Sequence, residues 1–217
     1  MATLIDTSYF VGDISLPQVG NPIQESEVTN SINTYEPKIL KRLLGYDLYT
    51  LLQTAWDDYP GTPLPDRFDE LINGAIFSIE FRNKTYNLKW DGLINSAKKS
   101  LIAYNVYANY MNNEATQTNT TGVSRIQQEN ALQASPRPKI IYAFNRMVEL
   151  YGQVPKSREL GFNDFKDKED IISFWGDSDN YLYWNIEPSA YNFLLANLNT
   201  YPEWIFSPIY KKNVLGI

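Results

Sequence analysis

Apolar positions recur at helical spacing along most of the chain, and the breaks between those runs define the elements. Val28, Ile32, Tyr35, Ile39 and Leu43 step by 4, 3, 4 and 4 residues, which is one face of a helix. Ser26 stands where it would cap that helix, with Glu25 and Glu27 near its positive end, and Pro37 is placed to kink it. Gly45 supplies a stop, and a second helix is predicted from Tyr46 to Trp56, with Leu48, Leu51, Leu52 and Trp56 inward. After the turn-rich DDYPGTPLPD, Asp66 would cap a short helix to Asn73 that packs Phe68, Leu71 and Ile72. Residues 1–24 hold no lysine or arginine and are broken by Gly12, Pro17, Gly20 and Pro22, so they read as an extended arm with at most a short strand.

The period then changes. In AIFSIEFRNKTYNLKW, residues 75–90, Phe77, Ile79 and Phe81 alternate with Ile76, Ser78 and Glu80, and Arg-Asn-Lys separates them from Tyr86, Leu88 and Trp90. That pattern predicts a β-hairpin. Helical steps return at Leu93, Ala97, Leu101, Tyr104, Ala108 and Met111, the longest clean helical run in the chain. The stretch from Asn112 to Ser135 is rich in Asn, Gln, Thr and Ala and long for a loop inside a compact domain, so it reads as either mobile or ordered by a partner. Pro136 and Pro138 open another helix that buries Ile140, Ile141, Phe144, Met147, Val148 and Tyr151 before Gly152. Residues 153–187 form an acidic excursion, and a final helix is predicted from Pro188 to Thr200 through Tyr191, Leu194, Leu195 and Leu198.

Composition removes much of the available chemistry. The 217 residues include no cysteine and no histidine, which excludes disulfides, thiolate or imidazole metal sites and the Ser-His-Asp triad. The formal charge of −6 disfavours tight binding to phosphate backbones. The carboxylates Asp164, Asp167, Glu169, Asp170, Asp177 and Asp179 could bind calcium or act as a glycosidase pair. Their spacing misses the EF-hand loop and Lys166 and Lys168 interrupt them, so a solvated acidic loop is the better reading. Gly74, Gly92 and Gly122 stand alone and make no phosphate loop. Lys98 and Lys99 belong on the solvated face of the long helix. No metal, cofactor or catalytic residue is expected. With 14% aromatic residues, a carbohydrate-binding or carbohydrate-hydrolysing domain is the alternative from a different class, with Trp175, Tyr181, Tyr183 and Trp184 as its platform.

The end of the chain departs from the usual polar terminus. Trp204, Ile205, Phe206, Ile209, Tyr210, Val214, Leu215 and Ile217 load it with apolar area. Such a tail can add a strand to its own sheet or dock on another subunit. No apolar run reaches the ~20 residues of a membrane span, and the N-terminus lacks the basic start and apolar stretch of a signal peptide.

Four segments together resemble the head–tail connector (adaptor) proteins of long-tailed bacteriophages, of the type found in phages of Bacteroidetes. They are YEPKILKRLLGYDLYTLL from Tyr35 to Leu52, WDGLINSAKKSLIAYNVYANYM from Trp90 to Met111, the polar linker with Thr121, Gly122 and Val123, and the closing Asn213-Val214-Leu215-Gly216-Ile217. The resemblance implies a mainly α fold: a bundle of four to five helices with a small β element, the hairpin near 75–90 and a C-terminal strand. The resemblance falls on a chain that its own segments divide into an N-terminal arm (1–24), a helical core with the hairpin (25–152), an inserted excursion (153–187) that departs from the compact family core, and a final helix with a docking tail (188–217). It further implies a structural, non-enzymatic virion protein, assembled in the host bacterial cytoplasm as a homo-oligomeric ring, commonly of about twelve subunits. The ring would bind the portal protein and the next neck or tail protein, and DNA would only pass through it. A stopper or tail-completion role is the neighbouring alternative. The candidate interface is then Thr121, Gly122, Val123 and Arg125 together with the eight apolar tail residues. An acidic lumen would repel phosphates and let the genome slide.

Overall fold

The computed structural model describes residues 2–16, 22–59, 61–81, 84–114, 117–119, 122–124, 136–152, 188–205 and 207–212. Among them lie six helices and two antiparallel two-stranded hairpins, a mainly helical chain with a small β component. No helix among the described residues is long and apolar enough to cross a membrane.

Helix α1 (Pro22–Leu44) begins four residues before the expected Ser26 cap. Pro22 occupies its first position, where a missing N–H costs nothing, so Ser26 lies inside the helix. The helix runs unbroken through Pro37 and buries Val28, Ile32, Ile39, Leu40, Leu43 and Leu44. After Gly45, whose positive φ ends α1, α2 (Tyr46–Asp58) buries Leu48, Tyr49 and Leu52. Leu51, expected inward, is 41% exposed, because the buried stripe passes through Tyr49 instead. Helix α3 (Asp66–Asn73) buries Phe68, Leu71 and Ile72 as predicted. Its cap position is Pro65, with Asp66 already in the first turn.

Strands β1 (Ala75–Phe81) and β2 (Lys84–Trp90) form the predicted hairpin, paired from Ala75 with Trp90 to Phe81 with Lys84. Arg82 and Asn83 of its expected turn lie outside the described residues, while Lys84 belongs to β2. Phe77 and Trp90 are buried on the inner face, and Ile76, Ser78 and Glu80 look outward. At the hairpin's root the chain crosses itself at two glycines. A Cβ on Gly74 would lie 2.3 Å from the Trp90 carbonyl, and one on Gly92 would lie 2.3 Å from the Ile72 carbonyl. Both glycines also have positive φ, which side-chain-bearing residues seldom adopt. Their role is this close backbone crossing, sealed by Leu93 N–H to the Leu71 carbonyl (3.2 Å) and Ile94 N–H to that of Ile72 (2.9 Å).

Helix α4 (Leu101–Glu114) starts eight residues later than the spacing from Leu93 predicts, and at 14 residues it is shorter than α1 with 23. Residues 93–100 are a turn in which Ser100 Oγ donates to the Leu93 carbonyl and accepts the Ile102 N–H. Lys98 sits at φ 55°, so neither Lys98 nor Lys99 is on a helix. The periodicity misled here because residues 101–108 are buried at every position. α4 packs against both α1 and α5, and a helix covered all round carries no single apolar stripe from which its start can be read.

The polar stretch after α4 contains a second small hairpin, β3 (Gln117–Asn119) with β4 (Gly122–Ser124), where only a loop was expected. Helix α5 (Arg137–Tyr151) follows Pro136 and buries Ala143, Met147, Val148 and Tyr151, with Ile140, Ile141 and Phe144 half-buried. Helix α6 (Ala190–Ala196) is shorter than the predicted 188–200. Ser189 caps it by accepting the Asn192 N–H, and Leu198, expected inward, is exposed. The 153–187 excursion lies outside the described residues, and with it the acidic cluster, Trp175 and Trp184.

The opening segment, expected as an extended arm, is a strap of two 3-10 turns (Thr7–Tyr9 and Gly12–Ile14) that buries Leu4, Ile5, Phe10 and Ile14. It is tied to α2 through Ala2 and Thr3, to α1 through Leu4, Ile5 and Thr7, and to α5 through Asp13.

Gly92→Ala should destabilise the protein by about 2–4 kcal/mol, since the new Cβ meets backbone that no rotamer change can move. Urea denaturation followed by tryptophan fluorescence measures it. A loss below ~1 kcal/mol would mean the crossing is more yielding than its geometry.

Candidate partner interface

No strand occurs among the described tail residues, so the predicted C-terminal strand is not found there. Pro202 and Pro208 lack the N–H a ladder needs, and side chains from the helices take the backbone groups that a neighbouring strand would have bonded. The path begins at Tyr201, buried against Phe193 (ring centroids 5.8 Å), with its hydroxyl 2.5 Å from the Arg67 carbonyl. Arg67 in turn pairs with Glu203 at 3.2 Å. Phe193 also meets Phe77 edge-on at 5.6 Å and stacks with Trp90 at 6.1 Å, so one α6 residue joins the hairpin root to the tail. Spacing picked out its neighbours Tyr191, Leu194 and Leu195 and missed Phe193, because two turns of helix are too short to define a face.

Beyond Tyr201, Trp204 is half-buried and donates from Nε1 to the Leu43 carbonyl at 2.8 Å, and Ile205 N–H approaches the Leu44 carbonyl at 3.4 Å. These bonds meet the last carbonyls of α1, which have no partner within the helix. Tyr151 of α5 places its hydroxyl 2.5 Å from the Ser207 carbonyl and 2.9 Å from that of Arg42. Burial pushes this phenol well above the usual tyrosine range, so it stays protonated as a donor. Arg42 reaches the Pro208 carbonyl at 3.0 Å, Ile209 is 5% exposed, and Tyr210 is half-buried. Asn145 then grips Lys212 twice, each bond 2.8 Å.

The charged anchor is Glu149, whose two oxygens accept Lys211 and Arg146, each at 2.6 Å. Burial works to raise its pKa, but the two cations together hold it below the ordinary glutamate value. A depressed carboxyl contributes stability that is present at neutral pH and lost as pH falls through its folded pKa. The anchor therefore loosens only in acid.

One part of this segment faces out. Ile205 is 64% exposed and rests against Gly45, and Tyr46, the next residue along α2, is 69% exposed. Both exposed apolar side chains thus stand next to Gly45, where α1 turns into α2. Tyr46 was not singled out by the sequence, since an aromatic opening a helix is indistinguishable there from a core residue. Of the remaining candidates, Gly122 and Val123 lie in β4, opposite Asn119 and Thr118. Thr121, Arg125, Phe206, Val214, Leu215 and Ile217 fall outside the described residues, so no spatial relation between β4 and the tail is drawn. Among the described residues no cluster of acidic side chains has the arrangement to hold a metal ion.

Comparison with known proteins gives no matching family model, no matching curated protein and no matching solved structure.

Tyr151→Phe removes the bond to Ser207 while keeping the ring. It should cost about 1–2 kcal/mol and speed hydrogen exchange across residues 207–212 relative to α4. Unchanged exchange there would show that the tail is held without Tyr151.

Proposed function

We propose that this chain is a non-enzymatic structural subunit, its helices bundled around α4, that assembles into a ring in a phage neck, joins the portal to the tail and lines the DNA passage. The segment order and motifs that resemble head–tail connectors support this role. The observation that favours it most is how the tail is held. Arg42 of α1, Arg67 of α3 and Asn145 of α5 reach the tail as far as Lys212, yet Ile205 beside Gly45 is left facing out. A large apolar side chain held in place and left in water suits the centre of an interface, where little further ordering is needed on binding. The −6 charge fits a conduit that must not retain DNA.

Native mass spectrometry of the purified chain, alone and mixed with its candidate portal protein, tests the role. Rings near twelve copies or a stoichiometric portal complex are expected, and a chain that stays monomeric in both conditions would overturn it. Ile205→Asp should leave the unfolding free energy of the monomer, measured by urea denaturation, within ~0.5 kcal/mol of wild type, because the position is exposed. It should weaken assembly at least tenfold. Assembly unaffected by this change would remove Ile205 from the interface.

A further inference from the structure

Glu36 is the one carboxylate in the buried part of the described core, at 2% exposure. It projects from the middle of α1, and its two oxygens accept consecutive backbone N–H groups of the strap, Leu4 at 2.7 Å and Ile5 at 3.2 Å. No lysine or arginine among the described residues forms an ion pair with it. A carboxylate shut away from water with only neutral donors is costly to ionise, and opening the strap would return water to it.

The remainder of the strap is held by neutral or surface contacts. Trp56 Nε1 donates to the Thr3 carbonyl at 3.2 Å, Gln53 to that of Ala2 at 3.2 Å, and Ala2 N–H to Asp57 at 2.8 Å. Tyr142 bonds to Asp13 at 3.1 Å, and Thr7 to Glu25 at 3.3 Å. Both deep backbone bonds of the strap therefore converge on a single titratable group.

We propose that Glu36 is a pH-dependent latch: it holds residues 2–16 firmly against α1 and α2 while protonated and loosens them as it ionises. Burial pushes the carboxyl up to about 7, against the opposing effect of the two N–H donors. A raised carboxyl contributes stability that is complete below the ordinary glutamate pKa and lost as pH rises through the folded value, so the latch weakens from about pH 4.5 to about pH 7 and is constant above. Two groups of α2 bear on the same site. Tyr49 is raised first by burial, then by the charges of Glu36 and Asp57, and so stays neutral throughout this window. Lys41 of α1 stands over the Tyr49 ring at 5.1 Å. Asp57 is held below its usual range chiefly by the Ala2 N–H, so it remains ionised across the window and adds no slope of its own. The direction of the latch follows from the burial of Glu36 with no cation among the described residues paired to it, and it does not depend on the ring assembly.

The test is amide hydrogen exchange of the full chain by NMR at pH 5 and pH 7.5, corrected for intrinsic rates, with α4 amides such as Tyr104 and Val106 as the internal reference. Protection of the Leu4 and Ile5 amides should fall more than tenfold between the two conditions while α4 protection holds. In Glu36→Gln the same ratio should stay within about twofold. Should that variant not fold, the wild-type Glu36 carboxyl carbon decides, and it should titrate in step with the loss of protection. The latch is overturned if Leu4 and Ile5 protection is equal at the two conditions, if α4 loses protection in parallel, or if the carboxyl titrates in the ordinary glutamate range.

Discussion

Irregular chain can cover a core only if its backbone polar groups find partners, and in this protein side chains of the helices supply them. Two such stretches, 2–16 and the described tail residues 201–205 and 207–212, close over the helices. Glu36, Trp56 and Asp57 bond the backbone of the first, and Arg42, Tyr151 and Asn145 that of the second. Each bond contributes about 1 kcal/mol, but leaving the same groups buried and unmet would cost more. The arrangement also makes α4 possible, since a helix buried at every position from 101 to 108 must be enclosed on all sides.

The aromatic content follows from the same constraint. Trp and Tyr join a large apolar body to one polar tip, so they can fill a core and reach a carbonyl together. Trp90 packs on Phe193 and donates to the Leu71 carbonyl at 3.0 Å, and Tyr201, Tyr151 and Trp204 make the equivalent connection elsewhere. The sequence offered glycan platforms, core and interface as uses for these residues. The described ones serve mainly as pins between elements. Only Tyr46, Tyr59 and Tyr142 among the described aromatics are exposed, and Tyr59 still stacks on Trp56 at 5.4 Å.

In the proposed ring the two chain ends have different parts. The tail is fixed by bonds that persist at neutral pH, Glu149 included, and gives Ile205 a constant position. The strap is fixed through a carboxyl whose balance lies near neutrality. On that proposal the tail contacts persist across neutral pH while those of the strap respond to it.

Spacing alone located six helices and the first hairpin, because amphipathic periods of 3.6 and 2 are local properties of the chain. It also identified Gly45 and Gly152 as helix ends and Phe68, Leu71 and Ile72 as core. Boundaries failed where a turn interrupted an apolar period that looked continuous: Ser100 opens α4 by accepting the Ile102 N–H while its hydroxyl donates to the Leu93 carbonyl. Gly74 and Gly92 matter only because the chain meets itself there. Of the candidate interface, the apolar character of the tail was legible residue by residue. Which of those residues face inward was not: Ile209 is buried and Ile205 exposed because Arg42, Tyr151 and Trp204 fix the path between them. Glu36 was hidden for the same reason, since a lone glutamate on a helix reads as solvated until a distant segment covers it. Composition and period determined which elements form. The tertiary structure alone decided which polar groups lie inside, because burial depends on residues far away in the chain.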